Sequence, residues 1–284
     1  MKLERMTRML PRKWRERPPV VSLLRLHGII APGGSPLRPS LNLTALDGVI
    51  ERAFKPRRLK AVALSINSPG GSPVQSALIH DRIRGLADEK KVPVLAFCED
   101  VAASGGYWLA CAGDEIFANR ASVVGSIGVI SASFGFQDLL AKAGIERRMH
   151  TAGDRKSFLD PFQAEEEDDV RRLKTLQKDL HATFKEHVRE RRGDRLNASE
   201  RRLFSGEFWT GQQALDLGLI DGIGNLNTVL KERYGKKVHI NKVGGRRNWL
   251  QRRMGLDSAE AGAGLAHGLA DALEERAQWG RYGL

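Results

Sequence analysis

Short apolar runs alternate with glycine-rich turns and helical patterns along the first half of the chain. Runs over residues 20–26, 61–66 and 93–97 have the length and apolar content of buried strands. Patterns at helical spacing, over 41–54 and 74–86, separate these runs. Strands that alternate with helices are joined by right-handed crossovers, which produce a parallel sheet. The pattern therefore predicts an α/β fold with a mostly parallel sheet and flanking helices.

The second half is more polar and contains one long charged helix. An acidic run at 165–169 opens a helical pattern over 163–192 that ends in basic residues, the polarity that the helix dipole favours. Glycines and serines interrupt the uncharged stretch 121–137, which predicts a buried strand with its turns and no membrane helix. Shorter elements are predicted as helices over 104–112, 138–143 and 214–219 and a strand at 116–117.

The chain has 284 residues and a formal net charge of +12, and we divide it into three parts. We expect a basic N-terminal arm over 1–19, one folded domain over 20–240 and a partly helical tail over 241–284, with its helix at 265–279. A positive surplus attracts nucleic acid or an anionic membrane whatever the fold. Pro18 and Pro19 follow the basic start, and Ser22 and Arg25 interrupt the next apolar run, 20–26, so a secretory signal is not predicted.

Cysteine usage points to a reducing compartment. Cys98 and Cys111 are too few for a disulfide framework and lie in no zinc-binding pattern. We expect two buried thiols, a cytoplasmic location and no metal or other cofactor.

Two glycine-rich segments lie where predicted strands turn into helices. In NSPGG, at 67–71, glycines allow the backbone to point an N–H at a ligand. In AASGGYW, at 102–108, Ser104 is surrounded by small residues that leave room for an extended substrate, and the N–H of Gly105 can serve an oxyanion hole. The plainer alternatives are a strand-to-helix turn for the first segment and a helix N-cap for Ser104.

Activation of Ser104 requires a base, and the seven histidines lie in no recognisable triad motif. Lys156 is a candidate because the segment 153–162 around it ends in apolar residues that can desolvate an amine. In a chain with 46 lysines and arginines, however, most lysines are simply solvated. Residue chemistry alone therefore does not select Lys156.

Five motifs in fixed order carry a resemblance to a known family. They are NSPGG (67–71), AASGGYW (102–108), GSIGV (125–129), DRKSFLDPF (154–162) and FWTGQQALDLGLID (208–221). Together they resemble the signal peptide peptidase A family of serine endopeptidases, over roughly residues 20–230. The resemblance implies a ClpP/crotonase-like fold of repeated ββα units with a mostly parallel sheet.

The resemblance also implies a role for five residues. Ser104 is the implied nucleophile and Lys156 the implied general base; Ser126 orients the lysine, and the N–H groups of Gly71 and Gly105 form the oxyanion hole. A lysine base must be neutral, so burial has to lower its pKa from the usual value of about 10.4. We expect Phe158, Phe162 and a docked apolar substrate to provide that burial.

The same resemblance implies partners. They are peptide substrates, such as residual signal peptides or other short apolar peptides, and further copies of the chain in a homo-oligomeric ring in which neighbouring subunits share the serine and the lysine. Members of the family commonly carry an N-terminal membrane anchor, whereas this chain has a basic arm with Leu3, Met6, Leu10 and Trp14. We therefore expect at most peripheral contact with the inner face of an anionic membrane.

Two other classes of function remain open from the sequence. A crotonase-type acyl-CoA enzyme would share the fold and the two N–H donors but would need no serine nucleophile. A catalytically silent scaffold or a nucleic-acid-binding protein is suggested only by the net charge of +12, because no helix-turn-helix or aromatic stacking platform is visible.

Overall fold

The structure is a computed structural model that describes residues 18–33, 40–153, 155–244 and 277–283. Residues 1–17 of the predicted arm and 265–276 of the predicted tail helix lie outside the described residues. Of that predicted helix, residues 277–279 are described and are helical.

One sheet of eight strands organises the described residues. The strands are β1 (Val20–His27), β2 (Leu59–Ser68), β3 (Val94–Ala103), β4 (Glu115–Ala118), β5 (Val123–Gly125), β6 (Phe208–Thr210), β7 (Gly222–Ile223) and β8 (His239–Val243). Their order is β6-β5-β3-β2-β1-β8, with β4 paired to β3 and β7. Every pair is parallel except β5 with β6. The predicted α/β class with a mostly parallel sheet is confirmed.

Helices connect the strands and flank the sheet. They are α1 (Leu43–Ala53), α2 (Pro73–Lys90), α3 (Gly105–Ala110), α4 (Gln137–Lys142), α5 (Glu167–Arg192), α6 (Glu200–Leu203), α7 (Gly211–Asp216) and α8 (Leu226–Tyr234). Side-chain caps define several starts: the Asn42 side chain accepts the Ala45 N–H at α1, and Thr210 and Gln213 form a capping box at α7.

Alternate strand residues separate two apolar layers, as the period of two in a strand requires. Leu24 of β1 and Leu64 of β2 lie in the larger core together with Ile79 and Ile83 of α2. The opposite face of the sheet carries a smaller cluster, which comprises Val21, Leu23, Ala61, Ala63, Leu95, Phe97 and Leu230. Both faces of the sheet are thereby covered, and the strand ends are left to form a site.

A buried ion pair fixes the end of α5. Arg192 is 2% exposed, and its guanidinium donates to both carboxylate oxygens of Asp221, at 2.8 and 3.1 Å, and to the Gly218 carbonyl. Asp221 Oδ2 also accepts the Ile116 N–H at 2.7 Å. Asp221 closes the last of the five motifs, so that residue joins α5 to β4.

Cys98 and Cys111 are both free and buried, as expected. Burial raises the pKa of each thiol to about 12. Neither thiol is ionised near neutral pH, which agrees with a packing role.

The helix predicted over 214–219 is Gly211–Asp216 in the structure, and two other stretches differ more from the prediction. Strand β3 continues beyond 93–97 to Ala103. Its pairing stops at Cys98 and resumes with β5 at Val101 and with β2 at Ala102. The stretch 121–137 was predicted as a buried strand with its turns, but only Val123–Gly125 is a strand. Beyond it Ile130 and Phe134 are 67% and 80% exposed, so that part of the prediction is wrong.

No helix within the described ranges is long and apolar enough to cross a bilayer.

Candidate active site

Ser104 occupies the turn between β3 and α3 in a conformation that few residues other than glycine adopt. Its φ and ψ are 53° and −122°. Its N–H donates to the Gly125 carbonyl at 2.8 Å, which ties the turn to β5. The hydroxyl does not cap α3 and makes no hydrogen bond to a described residue. Backbone strain that the surrounding structure maintains is typical of functional positions. Because the Ser104 side chain does not cap α3, a capping role for this side chain is excluded.

The loop after β2 approaches Ser104 through two glycines. Gly70 packs against the turn so closely that a Cβ at Gly70 would lie 2.8 Å from Ser104 Cβ and from the Gly105 nitrogen. Gly71 has a φ of +136°, and a Cβ there would lie 2.0 Å from the Ile30 carbonyl oxygen. That oxygen accepts the Ser72 N–H at 2.7 Å, which holds the loop in place. Only glycine fits position 71.

Two backbone N–H groups near Ser104 are without partners. Neither the Gly71 N–H nor the Gly105 N–H donates a hydrogen bond to a described residue. Gly105 is buried, and buried unpaired N–H groups are rare in proteins. A pair of such donors beside a serine can stabilise the negative oxygen of a tetrahedral intermediate.

Ser126 follows the β5 residue that accepts the Ser104 N–H. It is 6% exposed, has a φ of 53°, and its N–H donates to the Glu207 carbonyl at 2.7 Å. The structure thus brings together four of the predicted site residues: Ser104, Ser126, Gly71 and Gly105.

A residue near the C-terminus also reaches Ser126. The Tyr282 hydroxyl lies 3.4 Å from Ser126 Oγ, and its ring stands edge-on to Phe208 with the centroids 5.2 Å apart. This contact links residues more than 150 positions apart, so no local sequence pattern signals it.

Within the described residues, Lys156 forms no hydrogen bond with Ser104. It is exposed, and its amine forms no hydrogen bond or ion pair with a described residue. Phe158 and Phe162, from which burial was expected, are each 38% exposed. The chain alone does not desolvate the amine.

Lys156 belongs to a largely exposed segment, residues 129–162, here called the 129–162 extension. Its large apolar side chains contact little of the folded domain: Ile130, Phe134, Phe136, Leu139, Ile145, Phe158 and Phe162 are between 37% and 80% exposed. Exposed apolar groups in such number mark an interaction surface.

A buried aromatic and histidine cluster supports α3 from behind. Trp108 stacks on His187 and Phe184 of α5, and His187 meets His80 of α2 edge-on at 4.3 Å. Burial and, to a smaller extent, the neighbouring His80 lower the pKa of His187 to about 3. Burial also lowers the pKa of His80, against the opposing effect of Asp81. No sequence motif marks these histidines, because they come together only through tertiary packing.

The described residues contain no group of three or more His, Cys, Asp or Glu side chains that could hold a metal ion.

Known proteins similar to this chain include several peptidases. A putative signal peptide peptidase SppA of Enterococcus faecium is 30% identical over 206 residues, which are 71% of this chain and 59% of that protein. A putative protease of Synechocystis sp. is 33% identical over 208 residues, 72% of this chain and 69% of that protein. A solved chain of the 1510-N membrane-bound stomatin-specific protease has a TM-score of 0.49 at 16% identity and covers 81% of this chain and 99% of its own length.

A longer relative carries a different name. A protein of Brucella abortus (strain 2308) named Na(+)/H(+) antiporter NhaA is 51% identical over 285 residues. The match takes in 98% of this chain, which spans 39% of the length of that relative.

A family model assigns the chain. The model for peptidase family S49 matches residues 87–239, more than half of the 284 residues, and includes Ser104, Ser126 and Lys156. The chain therefore belongs to peptidase family S49.

Proposed function

We propose that the chain is a serine endopeptidase in which Ser104 is the nucleophile. The observation that carries this proposal is a strained serine whose hydroxyl forms no hydrogen bond to a described residue, beside two N–H groups that likewise have no acceptor among the described residues. Ser104 Oγ attacks the carbonyl carbon of a peptide bond, and the carbonyl oxygen becomes an oxyanion that accepts hydrogen bonds from Gly71 and Gly105. Collapse of this intermediate expels the amine product, and water then hydrolyses the acyl-enzyme.

Lys156 is the proposed general base, supplied by a second copy of the chain. The amine must be neutral to take the serine proton, and the exposed position of Lys156 in one chain leaves it hydrated. Packing the 129–162 extension against a neighbouring subunit would cover its apolar side chains and withdraw the amine from water. Ser126, beside Ser104, is then placed to accept a hydrogen bond from the amine and orient it. This arrangement requires a homo-oligomer, such as a ring.

Short apolar peptides, such as residual signal peptides, are the proposed substrates. Ala102, Ala103 and Gly106 are buried, and a Cβ at Gly106 would lie 2.4 Å from the Ser68 carbonyl oxygen, so these small residues allow close packing against β2 and do not provide the expected room for substrate. The exposed Phe208 offers an apolar wall beside Ser126. Mass-spectrometric mapping of products from a peptide library would define the preference for residues next to the cut.

Peptide hydrolysis by three variants and the wild type tests the proposed roles. Ser104→Ala should abolish turnover without unfolding the protein, since one oxygen is lost. Lys156→Ala should do the same, and Lys156→Arg should not restore activity because a guanidinium stays protonated. Wild-type activity should rise with pH as the base loses its proton. Turnover near the wild-type value in the Ser104 variant, or a rate independent of pH, would contradict the assignments.

We also propose peripheral contact with an anionic membrane through residues 1–17. This basic segment joins the fold at Pro18 and Pro19, which line a shallow depression with Arg57, Arg58 and Lys60. Each basic residue near an anionic surface contributes about 1 kcal/mol. The full chain should sediment with anionic liposomes and be released by salt, whereas a chain that begins at Pro18 should bind less. Equal sedimentation of the two chains rules the contact out.

A further inference from the structure

The strand that ends at Ser104 contains a bulge. Strands β2 and β3 pair one to one from Val62 with Val94 to Ile66 with Cys98, and pairing resumes at Ser68 with Ala102. Between these pairs β2 contributes Asn67 alone, while β3 contributes residues 99–101. Extra residues in one strand bend it and re-aim the side chains beyond the bulge.

The bulge lies where β3 changes neighbour. Before it, β3 pairs with β4 up to Cys98 with Ala118. After it, β3 pairs with β5, from Val101 with Val123 to Ala103 with Gly125. This second pairing carries Ser104 to its contact with the Gly125 carbonyl and thus next to Ser126. The position of the nucleophile therefore depends on how the bulge is held.

The Asn67 side chain closes the bulge with both ends of its amide. Its Oδ1 accepts the Val101 N–H at 3.1 Å, replacing a ladder bond that the register shift removes. Its Nδ2 donates to Asp100 Oδ2 at 2.8 Å, which fixes the amide orientation. Glu99, the first of the three bulge residues, has a different partner: the Ser65 hydroxyl donates a hydrogen bond to its carboxylate.

Asn67 is also the penultimate residue of β2, which leads into the loop that carries Gly71. Its carbonyl accepts the Gly28 N–H at 2.9 Å, which anchors the start of this loop. One residue therefore contacts both the strand that leads to the nucleophile and the loop that leads to the oxyanion donor. Neither Asn67 nor Asp100 lies beside the reacting atoms.

We propose that Asn67, oriented by Asp100, is a positioning residue that sets Ser104 against the Gly71 N–H. The proposal rests on the proposed serine peptidase function. Displacing a reacting group by about 1 Å can cost about 100-fold in rate. Loss of the Asn67 contacts should therefore slow attack by Ser104 while leaving the peptide-binding surface in place.

An amide–carboxylate exchange tests this role. In Asn67→Asp the side chain still accepts the Val101 N–H, but it loses the donor and faces a like charge at Asp100. We expect kcat to fall by about tenfold or more with KM within about twofold, because positioning is realised in the transition state. The rate at which a fluorophosphonate probe labels Ser104 should fall in parallel. Adding Asp100→Asn supplies the missing donor and should restore both rates to within about threefold of wild type.

A matched control uses Asn197, whose Nδ2 donates to the Asp216 carbonyl at 3.3 Å in a segment that provides none of the predicted site residues. Asn197→Asp loses the same kind of donor and should leave kcat and labelling unchanged. Melting temperatures of all variants separate positioning from unfolding.

The other possible outcomes contradict either the positioning role of Asn67 or the proposed peptidase function. An unchanged kcat in Asn67→Asp, a loss that the second substitution does not recover, or a loss explained by the unfolded fraction overturns the positioning role. In all three cases the wild type is still labelled at Ser104. A wild type that is not labelled at Ser104 overturns the proposed function, and the positioning role falls with it.

Discussion

At the scale of single residues, the buried ion pair between Arg192 and Asp221 is the clearest test of stability. Burial raises the pKa of the Asp221 carboxyl, but the hydrogen bonds and charge of Arg192, together with the Ile116 N–H and Arg195, outweigh burial and hold the pKa below its usual value, so the carboxyl is ionised in the folded state at neutral pH. Asp221→Ala leaves a 2% exposed guanidinium without its counter-charge. The expected cost is about 3 kcal/mol in the free energy of unfolding.

Urea denaturation would measure that loss. Exposed Asp216→Ala, five residues away in sequence and on α7, serves as the control and should change stability by less than about 0.5 kcal/mol. Similar small effects of both substitutions would show that the pair contributes little.

Some site residues could be predicted from the sequence and others could not. Ser104, Gly71, Gly105 and Ser126 lie in the motifs that carry the family resemblance, and that resemblance implied their roles. Tyr282 reaches Ser126 from a distant part of the chain, so its contact depends on tertiary structure that no local pattern encodes. Lys156 is recognisable by its motif, and its role as base stays a prediction.

At the scale of elements, the histidine cluster behind α3 predicts how stability depends on pH. The pKa of His187 is about 3 in the folded chain and near 6.5 when unfolded. The folded state keeps the ring neutral, so its contribution is fully present above pH 6.5. As pH falls from 6.5 towards 3, protonation favours the unfolded chain by up to about 1.4 kcal/mol per pH unit.

His187→Phe keeps the stacking on Trp108 and removes the titration. The difference in unfolding free energy between wild type and this variant should shift in favour of the variant as pH is lowered from 7.5 to 4.5. Chemical denaturation at several pH values provides the comparison, in which carboxylates contribute equally to both proteins. Parallel pH curves would exclude His187 as a source of acid sensitivity.

Elements were predicted correctly where the pattern of apolar side chains reflects burial. They were predicted incorrectly where backbone pairing determines how far a strand extends. The apolar periodicity of residues 20–26 and 74–86 identified β1 and α2. The strand predicted over 93–97 continues through the bulge to Ala103, because β5 and β2 pair with its last residues. In 130–136 apolar residues suggested burial, but no described element covers them.

At the scale of the whole molecule, a dyad shared between subunits predicts complementation. Ser104→Ala and Lys156→Ala chains should each be inactive, whereas a mixed oligomer should contain interfaces that combine the intact serine of one chain with the intact lysine of another. Random mixing of equal amounts restores about a quarter of the interfaces in a closed ring. Peptide hydrolysis after dissociation and reassembly would measure this recovery.

Mass spectrometry of intact complexes should confirm that the oligomers are mixed. Complete absence of activity in confirmed mixed oligomers would place serine and lysine in one chain. It would also leave the exposed 129–162 extension without its proposed role.

Covalent labelling of the wild-type protein with a fluorophosphonate probe, and peptide mapping of the product, would test the nucleophile itself. An activated serine forms an ester with phosphorus as fluoride leaves, whereas an acyl-CoA enzyme of the crotonase type or a silent scaffold has no such serine. We expect one modified residue, Ser104, and no labelling in Ser104→Ala. Absence of labelling in the wild type, or modification of a different serine such as Ser126, would contradict the assignment of Ser104 as the nucleophile.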